Sequence, residues 1–283
     1  MKLRKYIYIT INFLFTAMCA SKGIASLALA YYGHDDLPSG PENIDVSYIT
    51  DAADYLLTRP EVIPDRCGII SHCLGSLFGL SATIFSDKIK AIVAVNAVAF
   101  GFGINNQYKG QLLMKRMDPH FYKMNFIDDK FLTFNKELFT SKYLNSDSEY
   151  LLPIERIPED KHVLLGAGLN DTYISYFSNK SLETRMLSVG KRNIEVIEYE
   201  DAGHIIEVPH GPMISNSYQP YYPYRKGGPP NLPGRKGVFM LWGGTAEGNY
   251  KAQVDWWKRS CDFIFTHIRD ESLWYQQWLK KNA

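Results

Sequence analysis

The chain of 283 residues has little cysteine and little net charge. Its four cysteines form no C-x-x-C pair, which argues against a disulfide framework and a zinc site but is compatible with a single reactive thiol. The formal net charge is only +1, so we expect no nucleic-acid partner and no strong attraction to an anionic membrane surface. With 46% hydrophobic residues, the chain has enough apolar side chains for one large core.

The chain also lacks an apolar run long enough to cross a membrane comfortably. A basic stretch at 2–5 precedes the short apolar run YIYITINFLFTAMCA, a pattern typical of a signal peptide. Cleavage near Ala20 would come just before a predicted core strand, and a glycan at Asn170 would obstruct the predicted site. We therefore interpret residues 1–18 as a leader of undecided status and residues 19–283 as one domain. A cytosolic protein is favoured, and a secretory one is the alternative.

Strand-like and helix-like patterns alternate along the chain. The strand-like runs are continuously apolar, as expected of parallel strands buried on both faces, and the helical segments have apolar residues at helical spacing. This alternation predicts an α/β fold with a mostly parallel sheet and helices on both of its faces. The predicted elements are strands at 25–32, 67–71, 89–97, 162–169 and 193–200, and helices within 46–62 and at 74–85 and 250–268. The first of these helices is predicted to be ended by Pro60.

Two segments interrupt this alternation. Residues 98–153 are mixed polar and aromatic, and we expect them to form a cap over the edge of the sheet. Residues 217–237 are rich in proline and tyrosine and are predicted to form an irregular loop. The tyrosines at 218–224 either line an apolar substrate channel or stiffen this loop. Its basic residues either contact the phosphates of a ligand or are solvated; they are Arg225, Lys226, Arg235 and Lys236.

The stretch GIISHCLGSLFGL places Cys73 between a predicted strand and the first turn of a predicted helix. The nucleophile of α/β-hydrolases occupies this position, within the pattern G-x-S-x-G. Ser71 and Gly75 stand at the two flanking positions, where small residues are expected because helix and strand come close together. The N–H of Leu74 would point toward an oxyanion formed on the attacked carbonyl. The alternative interpretation is a buried, inert cysteine in a strand-to-helix turn.

The acid and the base of this fold follow later strands, in the chain order nucleophile, acid, base. Asp171 comes directly after the strand predicted at 162–169, and His204 comes after the strand predicted at 193–200. We expect His204 to take the proton of Cys73, and Asp171 to orient the imidazole.

Other polar residues near these positions fit the roles less well. His210 lies six residues beyond the predicted base, between prolines, and Asp201 is too close in sequence to that base to lie on a separate strand end. His72 is expected to face outward from the turn, and Asn170 to line the loop. His210 is kept as the alternative base.

Together these stretches resemble the family of acyl-CoA thioesterases and bile acid-CoA:amino acid N-acyltransferases. The resemblance runs from about Cys19 to Ile268, through ALAYYGHDDLP, DAADYLLTRPEV, GIISHCLGS, LLPIE, GLNDTYI, AGHIIEVPHGP, WGG and AQVDWWKRSCDFIFTHI. It implies an α/β-hydrolase domain in which Cys73, Asp171 and His204 are nucleophile, acid and base. It also implies acyl-CoA as the substrate, glycine or taurine as a second substrate in the transferase branch, and no cofactor or metal.

The sequence departs from this family in two respects. Family members carry an N-terminal β-sandwich and further first strands of the hydrolase domain, with a Gly-rich loop that donates a second oxyanion N–H; we expect these to be absent here. Near WGG the family usually has His-Ala, where this chain has Asn249-Tyr250. Losing one oxyanion donor typically slows turnover about 100- to 1,000-fold. A truncated, inactive relative is therefore one alternative.

A cysteine at the turn between the strand and the helix predicts that the acyl group is carried on its sulfur, as an S-acyl enzyme. Attack on a thioester exchanges one thioester for another, and the product stays activated toward both water and amines. Hydrolysis of acyl-CoA is predicted first because it needs no second substrate pocket. Transfer of the acyl group to glycine or taurine is the main alternative, since cysteine resembles the transferase branch. A further interpretation, a secreted esterase or lipase, is supported only by the signal-peptide-like leader. The sequence carries no indication of oligomeric state.

Overall fold

The computed structural model describes most of the chain. The described residues are 15–38, 40–41, 44–60, 62–63, 65–102, 104–117, 124–128, 130–134, 149–174, 176–219 and 238–268. Helices α1 to α4 are Ser47–Leu57, Leu74–Phe85, Phe177–Ser188 and Ala246–Ile268. Strands β1 to β12 are Cys67–His72, Ile89–Val95, Gly101–Phe102, Asn106–Tyr108, Gln111–Met114, Arg116–Met117, Met124–Ile127, Phe131–Phe134, His162–Gly168, Ile194–Tyr199, Asn216–Gln219 and Val238–Leu241.

The central sheet has four parallel strands in the order β1-β2-β9-β10. Alternate residues of β2 face opposite sides of this sheet. Ala91, Val93 and Val95 pack in a cluster with Trp256 of α4. Ile92 and Ala94, together with α2 and α3, belong to the larger cluster on the other side. The predicted α/β fold, with helices on both faces of a mostly parallel sheet, is confirmed.

Most of the predicted elements are present, with bounds shifted by a few residues. The helix predicted at 74–85 coincides with α2. The helix in 46–62 is predicted to be ended by Pro60, and it does end shortly before this proline, at Leu57. Proline disfavours helical backbone at the residue before it, which explains this end.

The prediction of a strand at 25–32 is wrong. Residues 24–31 have no regular structure, and the side chain of Leu27 is 42% exposed. A strand needs a neighbour to accept its backbone hydrogen bonds, and among the described residues β1 is the edge of the central sheet. The aromatic end of the segment packs on α2 instead, with the rings of Tyr31 and Phe78 5.6 Å apart.

A second sheet contains the strands β11-β12-β8-β7, in that order. β7 and β8 come from the segment predicted as a cap, and β8 pairs in parallel with β12. The loop prediction for 217–237 is wrong for its first residues, since Ser217 to Gln219 pair with β12. The remainder of that loop, including Arg225, Lys226, Arg235 and Lys236, lies outside the described residues.

The first described residues pack against α4. Residues 15–21 are helical, and the ring of Phe15 meets the ring of Trp257 edge-on at 5.2 Å. Cys19 is buried with Trp257 and Cys261. In the part of the chain that the structure describes, no helix is long and apolar enough to cross a membrane.

Candidate active site

Cys73 lies at a sharp turn between β1 and α2. Its backbone has φ 51° and ψ −121°, a conformation that non-glycine residues rarely adopt and that costs about 1–3 kcal/mol. The N–H of Cys73 donates to the carbonyl of Val95 at 3.1 Å, and the carbonyl of Cys73 accepts hydrogen bonds from Ser76. The surrounding hydrogen bonds therefore hold the strained turn that presents the sulfur.

Leu74 is the first residue of α2. Backbone N–H groups in the first turn of a helix have no acceptor within the helix, and they carry the partial positive end of the helix dipole. The N–H of Leu74 is thus available next to the thiol, where a negative oxygen would form on an attacked carbonyl. Its role as an oxyanion donor stays a prediction.

Asp171 and His204 meet at the carboxyl ends of the parallel strands. Nδ1 of His204 donates to Oδ2 of Asp171 at 2.7 Å, and both residues are buried. The other carboxylate oxygen, Oδ1, accepts from the backbone N–H groups of Tyr173 at 2.7 Å and Ile174 at 2.8 Å. The carboxylate is therefore held on one side by the backbone and on the other by the imidazole.

Cys73 lies close enough to His204 to affect the pKa of its imidazole. Burial lowers the pKa of His204, but the charges of Asp171 and Cys73 and the hydrogen bonds to them raise it by more. The net result is a pKa raised from 6.5 to about 10. The structure thus brings together the predicted residues Cys73, Asp171 and His204: Asp171 is hydrogen-bonded to His204, and Cys73 is near enough to affect the pKa of the imidazole.

The backbone of His204 is held by residues that the sequence analysis missed. Its N–H donates to the carbonyl of Trp242 at 2.8 Å. Its carbonyl accepts from Nδ2 of Asn96 at 2.7 Å and from Nε2 of His72 at 2.8 Å. The prediction that His72 faces outward is wrong: its ring lies 4.8 Å from the ring of His204. A polar residue at the carboxyl end of a central strand, as Asn96 is, was the available sequence signal.

Two glycines let three loops approach one another closely at this site. A Cβ on Gly203 would lie 2.2 Å from the carbonyl oxygen of Gly243, and a Cβ on Gly243 would lie 1.9 Å from that of Asn170. Gly243 also has φ 79°, which favours glycine. The motifs AGH and WGG are therefore explained by backbone packing behind Asp171 and His204.

Asn249 supports the same loop from α4. Its Oδ1 accepts a hydrogen bond from the N–H of Gly203 at 2.8 Å, and its side chain is buried. This residue occupies the position where the family resemblance leads one to expect histidine. In this chain an amide oxygen thus holds the residue just before His204.

The close approach of helix and strand occurs one turn beyond the position that the pattern indicated. A Cβ on Gly75 would meet only the hydroxyl of Tyr31, at an ordinary contact distance of 3.4 Å. A Cβ on Gly79 would lie 2.9 Å from Ile92 and 3.1 Å from Ile69. The expectation of a steric requirement at Gly75 is therefore wrong, and the requirement belongs to Gly79.

The rival residues lie elsewhere. His210 has its ring 6.4 Å from that of Tyr250. Asp201 accepts a long, 3.5 Å hydrogen bond from the side chain of Asn170 at the surface. Among the described residues, no three His, Cys, Asp or Glu side chains are placed to hold a metal ion. The prediction that no cofactor or metal takes part stays a prediction.

Comparison with known proteins identifies related sequences. The family model described as BAAT / Acyl-CoA thioester hydrolase C terminal matches residues 44–270. Bile acid-CoA:amino acid N-acyltransferase of Homo sapiens is 30% identical over 252 residues, covering 89% of this chain and 56% of that protein. Acyl-coenzyme A thioesterase 1 of Homo sapiens is 28% identical over 256 residues, with the same coverage. The chain thus spans about half the length of the curated relatives it matches.

Similarity to solved structures is weaker. A monoacylglycerol lipase of Paleococcus ferrophilus matches with 15% identity and a TM-score of 0.41, over 68% of this chain and 80% of that one. A putative dienelactone hydrolase of Klebsiella pneumoniae matches with 12% identity and a TM-score of 0.41, over 78% and 62% of the two chains. At these values the likeness supports no argument about the site.

Proposed function

Since the chain belongs to the family of BAAT / acyl-CoA thioester hydrolase C-terminal domains, we propose that it hydrolyses acyl-CoA through an S-acyl intermediate on Cys73. The observation that carries this proposal is the hydrogen bond between His204 and Asp171, together with the proximity of Cys73 to the same imidazole. Cys73 stands at a strained turn before a helix, where the nucleophile of such enzymes lies. The acyl-CoA thioester is the substrate.

In the first half of the reaction, the proton of Cys73 passes to His204. The raised pKa of His204, about 10, keeps that proton on the imidazole at neutral pH. The sulfur of Cys73 then attacks the thioester carbonyl, and the N–H of Leu74 donates to the oxygen that becomes negative. The bond between the acyl carbon and the CoA sulfur breaks, and His204 gives its proton to the departing CoA thiolate.

In the second half, water attacks the S-acyl intermediate. His204, now neutral, accepts a proton from this water as the new carbon–oxygen bond forms. The bond to Cys73 then breaks, and the sulfur leaves as the free fatty acid forms. Asp171 accepts the Nδ1 hydrogen throughout and so keeps Nε2 directed at the reacting atoms.

Acyl transfer to an amino acid is the second candidate, and the identity of the nucleophile favours it. An S-acyl cysteine is more activated toward amines than an O-acyl serine, so glycine or taurine could replace water in the second half. The match to Bile acid-CoA:amino acid N-acyltransferase supports this alternative as much as the match to Acyl-coenzyme A thioesterase 1 supports hydrolysis.

The test follows CoA release and the mass of the intact protein after addition of a long-chain acyl-CoA. The proposal expects CoA release and an acyl adduct, both lost in Cys73→Ala. Parallel reactions contain glycine or taurine: faster CoA release with formation of the amide selects transfer over hydrolysis. If the wild type shows no adduct and releases no more CoA than Cys73→Ala, the third candidate remains, an inactive relative.

The compartment belongs to the proposal as well. A cytosolic protein remains the prediction and a secretory one the alternative; one related thioesterase is named as mitochondrial. Fractionation of cells that express the full chain separates these cases. Glycosylation at Asn170 or Asn179, together with export, would contradict the cytosolic prediction.

A further inference from the structure

The backbone carbonyl of His204 accepts two side-chain hydrogen bonds. Nε2 of His72 donates at 2.8 Å, and Nδ2 of Asn96 donates at 2.7 Å. His204 belongs to no helix or strand, so neither bond is part of regular secondary structure. Because a carbonyl oxygen has two lone pairs, these two donors satisfy it completely and fix the peptide that carries the imidazole.

We propose that His72 is a positioning residue for His204 and acts together with Asn96. The inference rests on the proposed function, because that function makes His204 the group that exchanges a proton with Cys73. His72 is adjacent to Cys73 at the end of β1, and it reaches a residue 132 positions away in the chain. One hydrogen bond therefore ties the turn that carries the thiol to the loop that carries the imidazole.

Asn96 extends this link to the neighbouring strands. It follows β2, has φ 48°, and is buried. Its Nδ2 also donates to the carbonyl of Gly203 at 3.1 Å, and its Oδ1 accepts from the N–H of Gly168 at 2.8 Å. The carboxyl ends of β1, β2 and β9 are thus joined to the peptide of His204. A shift of one relative to the others would misalign the sulfur and the imidazole.

His72 acts as a neutral donor in this arrangement. Its Nε2 must carry hydrogen, because the group it faces is a carbonyl oxygen. Burial and the nearby His204 lower the pKa of His72 to about 3, so no second positive charge faces the imidazolium. The groups around the ring of His204 are the Asp171 carboxylate, the Cys73 thiol and the rings of His72, Tyr173 and Trp242, the last of which lies parallel to the imidazole.

The test uses two amides that differ by one methylene group. In His72→Gln the side-chain N–H can still reach the carbonyl of His204, whereas in His72→Asn it falls short. The readout is the rate at which iodoacetamide alkylates Cys73 of the full chain across a pH series, followed by mass. This readout reports the ionisation and alignment of Cys73 with His204 without needing acyl-CoA. Single-turnover acylation by a long-chain acyl-CoA is measured alongside.

We expect His72→Asn to alkylate roughly 10-fold or more slowly at neutral pH, with the midpoint of its pH profile moved upward, and His72→Gln to restore most of the rate. Thr83→Val is the matched control: it removes a buried side-chain hydrogen bond to the Gly79 carbonyl on α2 and leaves the His204 loop untouched. Its profile should match the wild type, which separates positioning from general loss of stability.

The proposal is overturned if His72→Asn and wild type alkylate alike, or if both amide variants are equally slow. The second result would mean that ring packing, rather than the hydrogen bond, is what matters. Failure of the proposed function would look different. In that case the variants would differ in alkylation as expected, while wild-type Cys73 formed no acyl adduct.

Discussion

Asp171 and His204 are 33 residues apart in the chain, yet Oδ2 of Asp171 accepts the Nδ1 hydrogen of His204 at 2.7 Å. They follow β9 and β10, which are neighbours in the central sheet and run parallel. The carboxyl ends of parallel neighbours meet at one edge, so residues just beyond them are brought together. Two backbone N–H groups hold the remaining oxygen of Asp171 and set the direction of the carboxylate.

Asp171→Asn should slow acylation of Cys73 by on the order of 1,000- to 10,000-fold. The amide can keep its oxygen on the N–H groups of Tyr173 and Ile174, but its nitrogen then faces Nδ1 of His204. That forces the wrong tautomer, with hydrogen on Nε2. Single-turnover formation of the acyl adduct measures the effect. Asp201→Asn removes a nearby surface carboxylate and is the control; an equal loss there would contradict the assignment of Asp171.

The pH dependence of stability should reflect the buried histidine. The pKa of His204 is about 10 in the folded chain and near 6.5 when it is exposed. The folded state therefore binds this proton more tightly, and the resulting stabilisation is complete below pH about 6.5 and is lost as pH rises through about 10. Urea unfolding at several pH values should show this loss. Asp171→Asn should flatten the curve across this window, and identical slopes in the two proteins would refute the prediction.

Lys161→Met should lower the free energy of unfolding by about 2–3 kcal/mol. The ammonium of Lys161 is buried and donates to the carbonyls of Thr83 at 2.6 Å and Ser86 at 2.9 Å, at the carboxyl end of α2. Removing it takes the ammonium donor from the Thr83 carbonyl, leaves the Ser86 carbonyl only the 3.3 Å bond from the N–H of Ile89, and removes a favourable charge from that end of the helix. Denaturant unfolding gives the value.

The control for this substitution is Lys90→Met. Lys90 pairs with Asp160 at 2.6 Å on the surface, where an ion pair is worth less than about 1 kcal/mol. If both lysine variants lose the same small free energy of unfolding, the hydrogen bonds from Lys161 to the end of α2 are not important to stability.

Gly79→Ala should destabilise the protein by about 1–3 kcal/mol, whereas Gly75→Ala should be tolerated. A methyl group at Gly79 lies 2.9 Å from the δ1 methyl of Ile92 and 3.1 Å from the γ2 methyl of Ile69, so these packed side chains or α2 itself must shift. At Gly75 the new methyl makes one ordinary contact, and alanine favours helix over glycine by about 0.5–1 kcal/mol. Thermal or urea unfolding of the two variants tests this prediction. A larger loss of stability for Gly75→Ala would contradict it and would show that the turn after Cys73 cannot accept a Cβ.

The residues of the candidate site could be predicted because each has a local signature. Cys73 stands between an apolar strand and a helix, and Asp171 and His204 directly follow apolar runs, so chain order and strand ends sufficed to select them. The residues that hold His204 had no such signature. His72 was assigned to the wrong side of the turn, because the direction of a side chain at a strained residue depends on what packs behind it.

Apolar periodicity in the sequence indicates which faces are buried, and it identified the strands of the central sheet and several of the helices that pack on it. The sequence by itself also determined the order of thiol, carboxylate and imidazole. Only the tertiary structure decided which segments pair. In the part of the chain that the structure describes, the apolar run at 25–32 forms no strand, while β8 and β12 pair across more than a hundred intervening positions. Local hydrophobicity expresses a preference for burial, but hydrogen-bonded pairing and the approach of Asn96 and His72 to one carbonyl depend on partners that are distant in the chain.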